Sequence, residues 1–170
     1  MSAAASARVR DSGPVRSYVA PSWAAGSPRT VTATAAYGRL ETEFRSKRDS
    51  GRKLLVPYIT GGYPGWQAAI RACAANGADA VEIGIPFSDP VMDGPVIQQA
   101  SQFALELGIT PTSILDEVPS LDVDIPLAVM TYYNLVHHPG PTRFASQLKR
   151  AGISAAILPD LPLEESGPWC

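Results

Sequence analysis

At 170 residues, with 45% hydrophobic and 18% charged side chains and a formal net charge of −2, the chain has enough apolar material for one sizeable core. That charge gives no electrostatic basis for binding nucleic acid or an anionic membrane surface, and no apolar run approaches the roughly 18 residues of a membrane-spanning helix. Two cysteines, Cys73 and Cys170, supply neither a disulfide framework nor a metal site, so free thiols in a cytoplasmic setting are expected.

Residues 1–36 are rich in Ala and Ser and set Arg8, Arg10, Arg16 and Arg29 against the single acid Asp11. They show neither helical nor strand periodicity and read as a disordered N-terminal extension. The composition is similar to that of an organelle transit peptide, but no amphipathic helix supports that reading, and a secretory signal's apolar core is missing.

From Tyr37 the chain alternates. Leu40 and Phe44, four residues apart in a charged segment stopped by Gly51, predict a short amphipathic helix. Leu54 to Thr60 predicts a first strand. Gly61, Gly62, Pro64 and Gly65 then make a tight loop. Trp66, Ala69, Ile70 and Cys73 form one helical stripe that ends at Gly77. A second strand runs from Ala80 to Ile85. Val96, Ala100, Phe103 and Leu107 mark the next helix, stopped by Gly108, and Thr110-Pro111 reads as the cap and first turn of a helix over 112–118. Ile125 to Thr131 is a third strand with Tyr132, Tyr133 and Asn134 at its end. Phe144, Leu148 and Ala151 give a helix before Gly152, and Ile153 to Leu158 is a fourth strand running out to Asp160 and the Glu164-Glu165 pair.

Strands alternating with helices predict right-handed crossovers and a parallel sheet. Polar residues then gather at the strands' carboxyl ends, where α/β barrels and open parallel sheets bind ligands. Residues 37–170 are about half of the ~250 residues that a complete eightfold barrel needs. The loop after the first strand, GGYPG, lacks the GxGxxG turn of a dinucleotide-binding fold.

The second strand carries the chemistry. Alternation places Val81, Ile83 and Ile85 on one face and Glu82 and Gly84 on the other, so a carboxylate sits within an otherwise apolar run. Burial without a partner raises a carboxylate's pKa, which suits a group that gives and takes a proton near neutral pH. Asp93 follows eleven residues later in a loop stiffened by Pro86, Pro90 and Pro95. The competing structural reading pairs Glu82 with a buried Arg or Lys and leaves Asp93 to cap the helix near Pro95. His137 and His138 invite a metal reading, but no third ligand is evident and a solvated turn is expected instead.

The segments PYITGGYPG, GADAVEIGIPFSDPVMDGPVIQ, MTYYNLV and LPDLPLEES, in this order, resemble the tryptophan synthase α subunit from about Leu54 to Trp169. The resemblance implies a TIM barrel of which this chain holds strands one to four. It implies retro-aldol cleavage of indole-3-glycerol phosphate to indole and glyceraldehyde 3-phosphate, with no cofactor in this subunit. Pyridoxal phosphate then belongs to a partner β subunit, which receives the indole.

Glu82 matches the family's proton-carrying glutamate, and Asp93 matches the aspartate that stabilises charge on the indole nitrogen. Tyr58 and Tyr132 match aromatic positions lining the indole pocket, with Met130 and Ile157 behind them; plain barrel packing is the alternative for all four. Asp89 matches an aspartate facing the β subunit, a local loop hydrogen bond being the alternative. Asp160 matches an aspartate with a structural and signalling role.

Three departures accompany the resemblance: a helix between Pro64 and Gly77 about one turn short, the extension before Tyr37, and the absence after Cys170 of four strands, a mobile loop and the phosphate-binding loops. The expectation is an N-terminal part of the enzyme that, with its strand edges unpaired, is either poorly soluble and partly ordered or a dimer closing a barrel between two halves. The alternatives are a non-catalytic remnant that at most docks onto a β subunit, and a phosphosugar-handling barrel of another family.

Overall fold

The computed structural model describes residues 37–167 and Trp169; the expected disordered extension and the Cys170 thiol lie outside these residues. In chain order the elements are helix α1 (Arg39–Asp49), strand β1 (Tyr58–Thr60), α2 (Trp66–Ala75), β2 (Val81–Gly84), α3 (Pro95–Glu106), α4 (Pro111–Glu117), a 3-10 turn at Val118–Leu121, β3 (Leu127–Met130), α5 (Tyr133–His137), α6 (Pro141–Arg150), β4 (Ala155–Ile157) and a 3-10 turn at Leu163–Glu165. The strands form one parallel sheet in the order β1-β2-β3-β4, as the alternation predicts.

Register gives the sheet two unlike faces. Ile59, Ile83, Val129 and Ala156 stand abreast and join a core with Trp66 and Ile70 of α2, Ile114 and Leu115 of α4, and Phe144 and Leu148 of α6. Each fully buried side chain of this kind contributes about 1.5–3 kcal/mol. On the opposite face, Tyr58 stands beside Glu82 and Glu82 beside Ala128; one step further along, Thr60, Gly84, Met130 and Ile157 form a second row.

The strands are shorter than the apolar runs suggest. Leu54 to Pro57 stays extended along β2, with Leu55 and Pro57 carbonyls accepting from the Asp79 and Glu82 amides. Pro57 has no N–H to return to a ladder, so regular pairing begins only at Tyr58. At α4 the sequence signal holds: Thr110 Oγ1 accepts from the Ser113 amide and Ser113 Oγ from the Thr110 amide, with Pro111 in the first turn.

The stripe expected to seat α3 faces outward instead. Val96 is 78% exposed and Leu107 56%, while Ser101 and Ala104 are buried. Small side chains on that second stripe let the helix approach closely, and Phe103 settles against the Tyr63 ring at 5.6 Å. Helix α5, placed in a loop by the sequence reading, has only five residues and no apolar period of its own. Its first amide, that of Tyr133, donates to both carboxylate oxygens of Asp160, at 2.8 and 3.1 Å. That bond gives the short helix an external acceptor at its N-terminus.

Candidate active site

Glu82 is half-buried in the middle of β2, on the face turned away from the helices. Among the described residues it forms no ion pair, so the expected alternative of a buried Arg or Lys partner is not found. Its pKa is raised, first by burial and then by the nearby Asp93 carboxylate. Asp93 is raised as well, again chiefly by burial, with the Tyr132 hydroxyl pulling the other way. Nor does Asp93 cap α3: Gly94 holds the cap position with no side-chain bond there, and the Asp93 backbone carbonyl accepts from Gln98 Nε2 at 2.9 Å.

Two tyrosines frame this pair. Tyr58 is the register partner of Glu82, and burial pushes its phenol up to about 12, so it remains a neutral donor at physiological pH. Its ring lies over Gly84, where any Cβ would overlap the phenolic oxygen. Tyr132, 2% exposed, closes the carboxyl end of β3. It stacks on Phe87 at 5.1 Å, and its hydroxyl accepts from the Met92 amide at 2.9 Å, one residue before Asp93. A residue just past β3 thereby steadies the loop that carries the second carboxylate.

Met130 is buried and Ile157 is 42% exposed; they are register partners in the upper row of the same face. Asp89 lies apart on the exposed loop, where Ser88 Oγ donates to Asp89 Oδ2 at 2.6 Å. Asp160 anchors α5 as described. His137 and His138 are exposed at the end of that helix, and His137 stands against the Tyr133 ring. Among the described residues no cluster of His, Cys, Asp or Glu side chains is arranged to hold a metal ion, and no helix is long and apolar enough to cross a membrane.

The sequence reading brought Tyr58, Glu82, Asp93, Tyr132, Met130 and Ile157 together without two of their supports. One is Gly84, whose missing side chain makes room for the Tyr58 phenol; the Glu-x-Gly alternation already put it on the right face. The other is Phe87, which stacks under Tyr132 and which no periodicity marks.

This arrangement can move a proton at one point and stabilise positive charge at another, beside the rings of Tyr58 and Tyr132. Known proteins resemble the chain in sequence and fold. The family model described as "Tryptophan synthase alpha chain" matches residues 44–170. The tryptophan synthase alpha chain of Haloferax volcanii is 43% identical over 120 residues, covering 66% of this chain and 43% of its own. That of Acaryochloris marina is 42% identical over 128 residues, covering 72% and 48%.

Among solved structures, tryptophan synthase from M. tuberculosis superposes with a TM-score of 0.73 at 37% identity, over 79% of this chain and 55% of that one. The alpha subunit from Legionella pneumophila gives 0.72 at 36%, over 79% and 53%. The chain thus spans about half the length of the relatives it matches, and its four strands are the α/β half-barrel that the resemblance implies. On this match of sequence and structure, the chain belongs to the tryptophan synthase alpha chain family.

Proposed function

We propose that this chain carries the proton-transfer groups for cleavage of indole-3-glycerol phosphate into indole and glyceraldehyde 3-phosphate. The observation that carries the reading is Glu82, a carboxylate with a raised pKa, no cationic partner among the described residues and a second carboxylate close by. Cleavage needs carbon 3 of the indole protonated and the adjoining glycerol hydroxyl deprotonated. Glu82 in its acid form gives the proton to carbon 3. As carboxylate it takes the hydroxyl proton, whose bonding pair becomes the aldehyde C=O as the carbon–carbon bond breaks. The electrons of the broken bond restore the indole ring. Asp93 accepts the indole N–H and stabilises the positive charge that appears there while carbon 3 is tetrahedral.

Tyr58, Tyr132, Met130 and Ile157 supply the walls for the ring. No step calls on a cofactor in this chain. The proposed cellular setting is the cytoplasm, with residues 37–170 as the barrel domain and 1–36 as its extension. Asp89, on the exposed loop beyond β2, is proposed to face a pyridoxal-phosphate-dependent β subunit that takes up the indole.

The test is indole formation by the purified chain, with and without a tryptophan synthase β subunit. Indole above the uncatalysed rate, with the β subunit's gain lost in Asp89→Ala, is expected. The uncatalysed rate in both conditions would overturn the reading.

A further inference from the structure

The amino end of β2 carries a cluster that the proposed chemistry does not use. Asp79 has a side chain only 4% exposed, and three donors converge on it. The Leu55 amide donates to Oδ2 at 2.8 Å, Lys47 Nζ lies 2.9 Å from Oδ1, and an Arg52 guanidinium nitrogen lies 3.5 Å from the same oxygen. The Asp79 amide in turn donates to the Leu55 carbonyl at 2.9 Å. Residues 55 and 79 are therefore locked by backbone and side chain together.

Three residues further along each chain stand Tyr58 and Glu82, which are register partners. β1 is short, lies at the edge of the described sheet and follows a proline, so its ladder alone holds register weakly. A slip of one residue would bring Pro57 or Ile59 beside Glu82 and turn Tyr58 to the other face. Charged acceptors with fixed donors are a recognised means of setting register. α1 has no buried residue, and Lys47 ties it to the sheet through this same acceptor.

We propose that Asp79 is a positioning residue for the carboxylate site: by holding Leu55, Lys47 and Arg52 it fixes the β1–β2 register that stands Tyr58 beside Glu82. Glu82 faces Tyr58 from β1, Asp93 from the loop after β2, and Ala128 from β3. Loss of register removes Tyr58 from that set and opens Glu82 to water.

The test is a carbon-13 NMR titration of the Glu82 carboxyl, assigned by its disappearance in Glu82→Gln, in the wild-type chain, Asp79→Ala and Asp79→Asn. In the wild type the midpoint lies above the ordinary glutamate value of about 4.3. In Asp79→Ala it is expected to fall to that value, with loss of the nuclear Overhauser contacts between Tyr58 and Glu82, while the β3–β4 contacts persist. Asp79→Asn keeps an acceptor for the Leu55 amide and is expected to fall between the two. Should Asp79→Ala not fold, the comparison of Asp79→Asn with Lys47→Met decides, since both weaken the clamp and leave its backbone bonds. An unmoved Glu82 midpoint with intact Tyr58–Glu82 contacts in the folded variants would overturn the proposal. The inference rests on Glu82 being the proton carrier only for its bearing on catalysis. The titration reads position without turnover, so an inactive wild-type chain with a shifting midpoint would fault the functional reading alone.

Discussion

Asp79 and Glu82 lie three residues apart on one chain, both removed from bulk water, and their ionisation is pushed in opposite directions. Asp79 receives an amide first and a lysine ammonium second, and its pKa is lowered. Glu82 receives no cation among the described residues, is penalised by burial and faces another carboxylate, and its pKa is raised. Just before β2 stands a carboxylate that is satisfied and fixed, and in its middle stands one with no cationic partner among the described residues, the group proposed to exchange a proton. Strand position alone does not distinguish them. The Leu55 amide and the cations of α1 and the turn after it hold the first as a carboxylate, and no such donors reach the second among the described residues.

After Glu82→Gln, which is expected to remove activity, loss of the second carboxylate should damage function most. Asp93→Asn keeps the shape and loses the charge opposite the indole nitrogen, and indole release is expected to fall about 10²–10³-fold, as measured by steady-state kinetics. Gly84→Ala probes the space above Glu82. The added methyl meets the Tyr58 phenol, and the displaced ring should cost about 1–3 kcal/mol of stability in urea denaturation. Tyr132→Phe should cost less, about 0.5–1.5 kcal/mol, because the ring stays and only the hydroxyl's bonds with the Met92 amide and Asp93 are lost. Its kinetic signature is a larger effect on turnover than on substrate affinity, since the loop before Asp93 loses its tie.

The contrast also predicts opposite pH dependences of stability, with small amplitudes. Asp79 has a lowered folded pKa, so its stabilising contribution is present above the unfolded value of about 3.9 and is lost as pH falls through the folded one. Asp79→Asn should thus lower Tm at pH 7 and converge with the wild type in acid. Glu82 has a raised folded pKa, so it stabilises below about 4.3 and costs stability as pH rises through the folded value. Glu82→Gln should accordingly raise Tm at pH 7 while removing activity. Thermal melts across pH 3–8 check both directions.

Much of this was legible in the residues. A glutamate inside an apolar run announces itself, because alternation names its face and burial raises its pKa. The α4 cap was readable because Thr110 and Pro111 act within one turn, although the Ser113 half of it was not named. Three features were not readable, and each depends on distant partners. The exposed stripe on α3 is more apolar than the seated one, so apolar period alone pointed to the wrong face and Ser101 and Ala104 are buried instead. Helix α5 exists because Asp160, from beyond β4, meets its first amide. The Asp79 clamp needs Lys47 and Arg52, some thirty residues upstream. Local pattern fixes type and face, whereas long-range hydrogen bonds and packing decide which of several permitted arrangements is occupied.

The central claim is that Glu82 exchanges a proton with carbon 3 of indole, and it can be tested without the rest of the substrate. Free indole incubated with the chain in deuterium oxide should lose its carbon-3 proton signal by NMR faster than in buffer, and Glu82→Gln should abolish the acceleration. Equal exchange with the wild type, with Glu82→Gln and with buffer would contradict the account.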